Sequence, residues 1–480
     1  MINSKYDLVV GLEVHVQLST LSKLFVADKN SFGDQPNSNM SPITLAHPGT
    51  LPLLNKKAVE YAVKLGLACN SKIGQYSTFD RKNYFYPDLP KGYQITQDVS
   101  PICIKGGVKI HTSMGEKIVQ LHHMHLEEDA GKSMHDPKTG SSLIDYNRSG
   151  TPLIEMVTEP DMNSAEEAGA LLSEVRKMVR FLGIGDGNME QGSLRCDANI
   201  SLKPQGAKQL GERVEIKNMN SIRNVQRAIK SEIERQSQLL DDGQVIIQET
   251  RGLNDDTGET FSQRRKEAVN DYRYHPDPDL VPVIISDEWL DKIKKSMPKL
   301  SNELKNEFIN DCGINKDVAS ILSNDKETAD YFIALTQGNK HYQAISNWII
   351  GPIKKYLNET GTNISSFPVN HQKISELINL TMTDKLSFSV ASNQIFPKLL
   401  KDPSLSAIKI AEELNLIQNS DDDFIETITD QVLDAFPEKV LAYKKGKKGL
   451  LGMFVGEIMK QSKGKANPKM VNDILLKKLN

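Results

Sequence analysis

The sequence predicts an α+β protein, strand-rich over its first 290 or so residues and helical thereafter. Three observations predict it. Short β-branched runs broken by Gly, Pro and Asn turns fill the first part, apolar residues at helical spacing fill the second, and 480 residues are too many for a single core. Two to three domains are therefore expected.

Taken in order, the first strand covers 8–18. Within it GLEVHVQL, 11–18, places Glu13, His15 and Gln17 on one face and Leu12, Val14, Val16 and Leu18 on the other. Further strands are expected at 118–126, 142–146, 153–158, 193–202 and 214–217. A helix starts at Ser164, whose capping box is completed by Glu167, and ends near Gly183; Leu171, Leu172, Val175, Met178, Val179 and Leu182 form its apolar side. A second helix follows Asn220-Ser221, burying Ile222, Val225, Ile229 and Ile233 opposite a solvated face of Arg223, Arg227, Lys230 and Arg235. From Asp287 onward EWLDKIKKSMPKLSNELKNEFI and KETADYFIALTQ read as amphipathic helices joined by short loops. After the acidic DDDF at 421–424 the chain turns basic, with lysines and glycines interleaved around LLGMFVGEIM; such a surface fits a phosphate backbone, although a lysine tail is more commonly plain solvated surface.

One stretch stands out for chemistry. LHHMHLEEDAGK, 121–132, reads as a strand running into a turn at Asp129-Ala130-Gly131. Alternation puts His123, His125 and Glu127 on one face and His122, Met124, Leu126 and Glu128 on the other. Three adjacent carboxylates repel unless a cation or water intervenes. A solvated strand end is the ordinary explanation. Paired with the Glu13/His15 face, however, the mixture of carboxylates and imidazole suits a hard divalent ion, Mg2+ or Mn2+.

Composition narrows the class. The net charge of −3 creates no field that dictates a partner, and no apolar run is long enough to span a bilayer, so no membrane role is expected. MINSKYDLVVGLEVHV enters a strand without signal or transit character. The four cysteines (Cys69, Cys103, Cys196, Cys312) form no CxxC, which excludes a disulfide framework and points to a reducing, cytoplasmic home. Eight of the ten histidines precede residue 276, and no Walker A string occurs.

Several uncommon strings then coincide: GLEVHVQL at 11, FDRKNYFYPDLPKGYQI at 79, HLEEDAGK at 125, NRSGTPLIEMVTEPDM at 147, EQGSLRCDANISL at 190, EIKNMNS at 215, TRG…TGET with DYRY between 250 and 274, and KGLLGMFVGEIMKQSKGKANP at 448. In this order and over essentially the whole chain they resemble the B subunits of tRNA-dependent amidotransferases, which convert Glu-tRNA(Gln) or Asp-tRNA(Asn) to the amide form. The resemblance implies a cradle-shaped catalytic domain (1–290), a helical domain (291–408) and a small tail module that grips the tRNA body (409–480). It implies a heterotrimer with two partners: an amidase chain, which releases ammonia from glutamine, and a short chain that ties the amidase to this one. It also implies an ATP-dependent carbon–nitrogen ligase of protein biosynthesis: the substrate's side-chain carboxylate is phosphorylated, and ammonia channelled from the amidase attacks the acyl phosphate.

Carried over residue by residue, the resemblance implies catalytic roles for Glu13, His15, Glu127, Glu128, Glu155 and Glu190. His15, Glu128 and Glu155 are the expected ligands of one Mg2+ or Mn2+, and Glu13, Glu127, Glu190 and Asp197 the lining of a second cation site or ammonia path. Arg81, Lys82, Arg148, Arg195 and Lys217 are candidate donors to ATP phosphates or the tRNA 3′ end. Tyr84, Phe85 and Tyr86 are candidates to stack on the terminal adenosine, or else core residues. Lys444, Lys445, Lys447, Lys448, Lys463 and Lys465 are candidates for the tRNA body. Two departures from the pattern matter. The family's zinc knuckle falls on Val26, Asp28, Ser41 and Thr44, none of them cysteine, so no zinc is expected and packing and turns such as Phe32-Gly33 must hold the loop. The usual phenylalanine after DYRY is His275, read as a tolerated change in a loop. Two other readings differ in class: a tRNA-binding adaptor without catalysis, against which the intact carboxylates argue, and a free-standing metallohydrolase, which leaves the basic helical tail unexplained.

Overall fold

The structure, a computed structural model, describes residues 5–136, 138–265, 272–417, 422–462 and 466–479. The chain divides into two compact units, one ending at Ser301 and one beginning at Asn302. The helix Asp287–Lys295 belongs to the first unit, because Ile293 joins its core and Trp289 lies under the Lys56 ammonium. Architecture is α+β, with the strands in the first unit.

A ten-stranded sheet among the described residues organises the first unit. Its order is 260–265, 249–253, 214–219, 194–204, 6–17, 152–158, 115–128, 103–104, 72–73, with 107–112 forming a hairpin on 115–128. All pairings are antiparallel except that of 214–219 with 249–253. The central strand, Tyr6–Gln17, alternates as its sequence requires: Leu12, Val14 and Val16 are fully buried, while Glu13, His15 and Gln17 face the other side. Three helices pack on the apolar side. Ala165–Leu182 starts at Ser164, whose Oγ accepts from Glu167 N at 3.1 Å, and stops at Gly183, whose φ of +66° is left-handed. The Glu167 carboxylate returns to Asn163 N rather than to the cap residue itself. Ile222–Asp241 is capped by Ser221 in the same way. The helix Lys56–Ala68, capped by Asn55, is absent from the sequence expectations; it contributes Ala58, Val59, Ala62 and Val63 to the core.

A smaller sheet of Asp80–Asn83, Tyr93–Thr96 and His275–Pro276 stands beside this frame. His275 is thus in a short strand, opposite Arg81, and not in a loop. The loop onto which the zinc knuckle would fall is held by contacts among three of the four substituted positions. Asp28 accepts from Ser41 N (2.8 Å) and from Thr44 Oγ1 (2.5 Å), and the buried Lys23 ammonium donates to the carbonyls of Asn39 (2.7 Å) and Tyr146 (3.3 Å). Burial pulls Lys23 down to about 8, opposed by the charges of Asp28, Asp145 and Glu128.

The second unit is helical among its described residues. Its C-terminal helices enclose their own core of Ile425, Val432, Phe454, Ile458, Val471 and Leu475. Lys444, Lys445, Lys447 and Lys448 are exposed on the turn between Pro437–Lys444 and Leu450–Gln461; Lys463 and Lys465 lie outside the described residues. No helix among the described residues is long and apolar enough to cross a membrane.

Candidate active site

The polar face of the large sheet is built by register. Arg195, His15, Glu155 and His125 are successive cross-strand partners on four neighbouring strands, so all four project from the same face in one row. The neighbouring row carries Asp197 opposite Glu13. Beyond the other side of the first row, Glu127 follows His125 by two residues on the same strand.

Three donors converge: His15, Glu127 and Glu155 offer ligand atoms all within 4.8 Å of one another. His15 Nε2 lies 3.3 Å from Glu155 Oε2 and 3.8 Å from Glu127 Oε1, and His125 Nε2 lies 3.6 Å from each carboxylate. Burial works against charge on His15, but the hydrogen bond and charge of Glu155, with Glu127, raise its pKa to about 9. His125 is raised by the same carboxylates against burial. Glu155 resists burial and is held well below the usual carboxylate range by His125 and His15. His123, whose Nε2 is 3.1 Å from His125 Nδ1, is lowered to about 4 by burial and by its two histidine neighbours.

Glu128 is not in this group, contrary to the expectation that it joins His15 and Glu155. It sits on the opposite side of the strand, where its Oε1 receives the Lys91 ammonium and Ile95 N (2.9 Å). Glu127, expected to line a second cation site or ammonia path, converges with His15 and Glu155 instead. His122, expected on the apolar side, is exposed and lies 2.7 Å from His123, because the register against 152–158 shifts between Val157 and Thr158 and turns the strand there.

A second group comprises Glu13, Asp197 and Glu215. Glu215 was not among the expected residues, although the alternation of 214–217 already places it on the face of Lys217. Glu190, expected near this group, is instead exposed on the turn before 194–204. The Lys217 ammonium already occupies the second group, 2.7 Å from Asp197 Oδ2 and 3.1 Å from Glu215 Oε1. Glu13 accepts from Asn199 Nδ2 (2.9 Å) and is raised by burial and by Glu155.

Four of the five expected phosphate donors are engaged within the chain. Arg81 bridges Asp277 (2.7 Å) and Asp279 (2.8 Å); Arg148 donates to the carbonyls of Ala130 and Gly131; Arg195 donates to Asp129 (2.8 Å); Lys217 is held as described. Lys82 makes no ion pair or side-chain hydrogen bond among the described residues. It lines a cleft of about 720 Å³ with His122, His123, His125, Glu127, Glu155 and Tyr274. Phe85 (88% exposed) and Tyr86 are surface rings and not core, whereas Tyr84 is partly buried.

The donor sets are those of a hard-ion site: an imidazole and two carboxylates in the first, oxygen alone in the second. In the first, the ion-pair partners of the carboxylates are His15 and His125, and no lysine pairs with them among the described residues.

A family model described as the GatB/GatE catalytic domain matches residues 8–291, and one described as a GatB domain matches 330–479. The chain is 48% identical over 475 residues to the B subunit of the aspartyl/glutamyl-tRNA(Asn/Gln) amidotransferase of Pelodictyon phaeoclathratiforme, covering 99% of both. It is 47% identical to that of Chlorobium luteolum over the same shares, and 44% identical to that of Thermodesulfovibrio yellowstonii over 98% of this chain and 99% of the relative. The chain belongs to the family of B subunits of aspartyl/glutamyl-tRNA(Asn/Gln) amidotransferases.

Proposed function

We propose that this chain is the part of a tRNA-dependent amidotransferase that activates and amidates the side-chain carboxylate of Glu-tRNA(Gln), Asp-tRNA(Asn) or both. The observation that carries the reading is the convergence of His15, Glu127 and Glu155 on the wall of a cleft that Lys82 also lines. A carboxylate is a poor acyl donor. Phosphorylation by ATP makes it a good one, with ADP leaving, and ammonia then forms the amide bond as inorganic phosphate leaves.

The ion fitted by His15, Glu127 and Glu155, Mg2+ or Mn2+, would neutralise phosphate charge. The chain's own residues do the rest. Lys82, which makes no direct ion pair among the described residues, supplies a cation that relieves repulsion between substrate carboxylate and γ-phosphate. Arg195 and Gln17 both donate to Asp129 at 2.8 Å, which fixes the strand end that carries Glu127. Glu13, with its raised proton affinity, is suited to accept the surplus proton of the attacking amine. The basic turn 444–448 and the exposed rings at 85 and 86 are suited to the tRNA body and its terminal base. No amidase-like Ser–Ser–Lys constellation is evident in the sequence, and the reading takes its ammonia from partners, an amidase and a small linking chain.

Single-turnover assays of the assembled complex with misacylated tRNA, Mg-ATP and glutamine test this reading. Glu127→Gln is expected to bind tRNA yet stop consuming ATP. Wild-type turnover by that variant would place phosphorylation elsewhere; a wild-type chain that bound tRNA and formed no amide from either aminoacyl-tRNA would favour the adaptor reading.

A further inference from the structure

Lys82 owes its availability to an aromatic wall. The strand Asp80–Asn83 lies against the segment from Tyr272 to Pro276: Asn83 N donates to the Tyr272 carbonyl (2.8 Å), Asn83 Nδ2 donates to the Arg273 carbonyl (2.7 Å), and His275 and Pro276 pair with Arg81 and Asp80. Between the two tyrosines Arg273 has a φ of +44°, a backbone state that a side chain other than glycine rarely adopts. Tyr272 and Tyr274 thereby meet edge to face at 6.1 Å, and Tyr272 meets Tyr84 in the same manner at 6.1 Å. The Lys82 ammonium lies over the Tyr272 ring, 4.9 Å from its centroid, while Tyr274 lines the cleft beside it.

We infer that Tyr272 is a positioning residue for Lys82, its ring face holding the ammonium at the cleft as a receptor for the phosphate of the nucleotide. The inference rests on the role proposed for Lys82 and gives the DYRY segment a function. The physical point is the choice of partner. A carboxylate would fix the lysine more tightly but would cancel its charge and compete with every incoming phosphate. A ring face attracts the ammonium through its quadrupole without contributing a negative charge. The lysine is then restrained without a direct carboxylate partner, which leaves its N–H groups open to an anion. Burial disfavours its charge, but Glu127, Tyr274 and Glu155, which line the same cleft, favour it. The other four donors differ in just this respect, since each is already engaged by carboxylates or carbonyls.

The test uses the assembled heterotrimer with Mg-ATP, misacylated tRNA and ammonium as amide donor. Tyr272→Leu keeps bulk and removes the ring face; the KM for ATP is expected to rise roughly tenfold with kcat within about twofold, and Tyr272→Phe to restore the wild-type KM. Adding Tyr272→Leu to Lys82→Met should cost nothing further. Phenylalanines bearing one, two or three ring fluorines at position 272 weaken the ring face without changing its shape, so they report even where the leucine variant fails to fold. A KM that climbs with fluorine number supports the inference. A KM indifferent to fluorination, or a Tyr272→Leu defect that persists in the Lys82→Met background, overturns it. An unaltered KM and kcat in Lys82→Met would instead overturn the assignment of Lys82, and this inference with it.

Discussion

At pH 7 the His15 imidazole of the ion-free chain carries a proton, because Glu155 and Glu127 raise it to about 9 against the pull of burial. An ion that binds its nitrogen must displace that proton. Mn2+ binding near neutral pH is therefore expected to release about one proton. Affinity should tighten about tenfold per pH unit from 7 toward 9 and then level. Stability of the ion-free chain moves the other way. The folded pKa lies above the ordinary 6.5, so the contribution is fully present below 6.5 and is lost as pH rises through about 9. Its size is about 3 kcal/mol, at a side chain only 19% exposed. Calorimetric titrations of Mn2+ in two buffers of different ionisation enthalpy read the proton count directly, and repeating them across pH gives the slope. Equal heats in both buffers, or an affinity flat between pH 7 and 9, would refute the assignment of a protonated His15 that becomes a ligand.

Three further outcomes follow from particular contacts. Glu127→Gln should weaken Mn2+ at least about tenfold with little change in melting, whereas Glu128→Gln should bind Mn2+ normally and lose about 1–3 kcal/mol, because Lys91 and Ile95 N lose a charged acceptor; the reverse pattern in paired titrations and melts would exchange the two roles. Asp28→Asn should lose about 1–3 kcal/mol in chemical denaturation, since it weakens the hold on Ser41 and Thr44 and leaves buried Lys23 less compensated, and added zinc should not restore it. Replacing Lys444, Lys445, Lys447 and Lys448 by alanine should lower the slope of log affinity for tRNA against log salt by up to about 0.7–0.9 per lysine that contacts phosphate; an unchanged slope would remove this turn from the interface.

Local pattern made much of this legible. Alternation in 11–18 correctly separates Glu13 and His15 from the apolar core, and alternation from His125 places Glu127, not Glu128, on the metal-capable face. In the family string the two adjacent glutamates look alike, and Glu128 reads as a ligand there; only the pairing of His15 with Glu155 and of Glu155 with His125 separates them. The bulge that brings His122 into the cleft has no such local sign, because it arises from the mismatch of two strands. Nor is the distinction between Lys82 and the other four donors local: it depends on acceptors as distant in sequence as Asp277 for Arg81.

The two acidic groups differ in what balances them, and the difference decides where an ion enters. Glu127 and Glu155 face the protonated His15 imidazole, whose proton an arriving ion can exchange for itself near neutral pH. Asp197 and Glu215 are balanced by the Lys217 ammonium, which those two carboxylates hold protonated well above the ordinary lysine range against burial, so it cannot be shed by losing a proton. An ion at the second group must push a side chain aside, an additional cost the first group does not carry. Lys217→Met should therefore tighten a second Mn2+ site, read as a higher stoichiometry in titration near neutral pH, while Glu127→Gln still removes the first. A stoichiometry unaffected by Lys217→Met would mean that the second group, although its oxygens lie within 4.8 Å of one another, is an ion-pair anchor for Lys217 and no part of the metal chemistry.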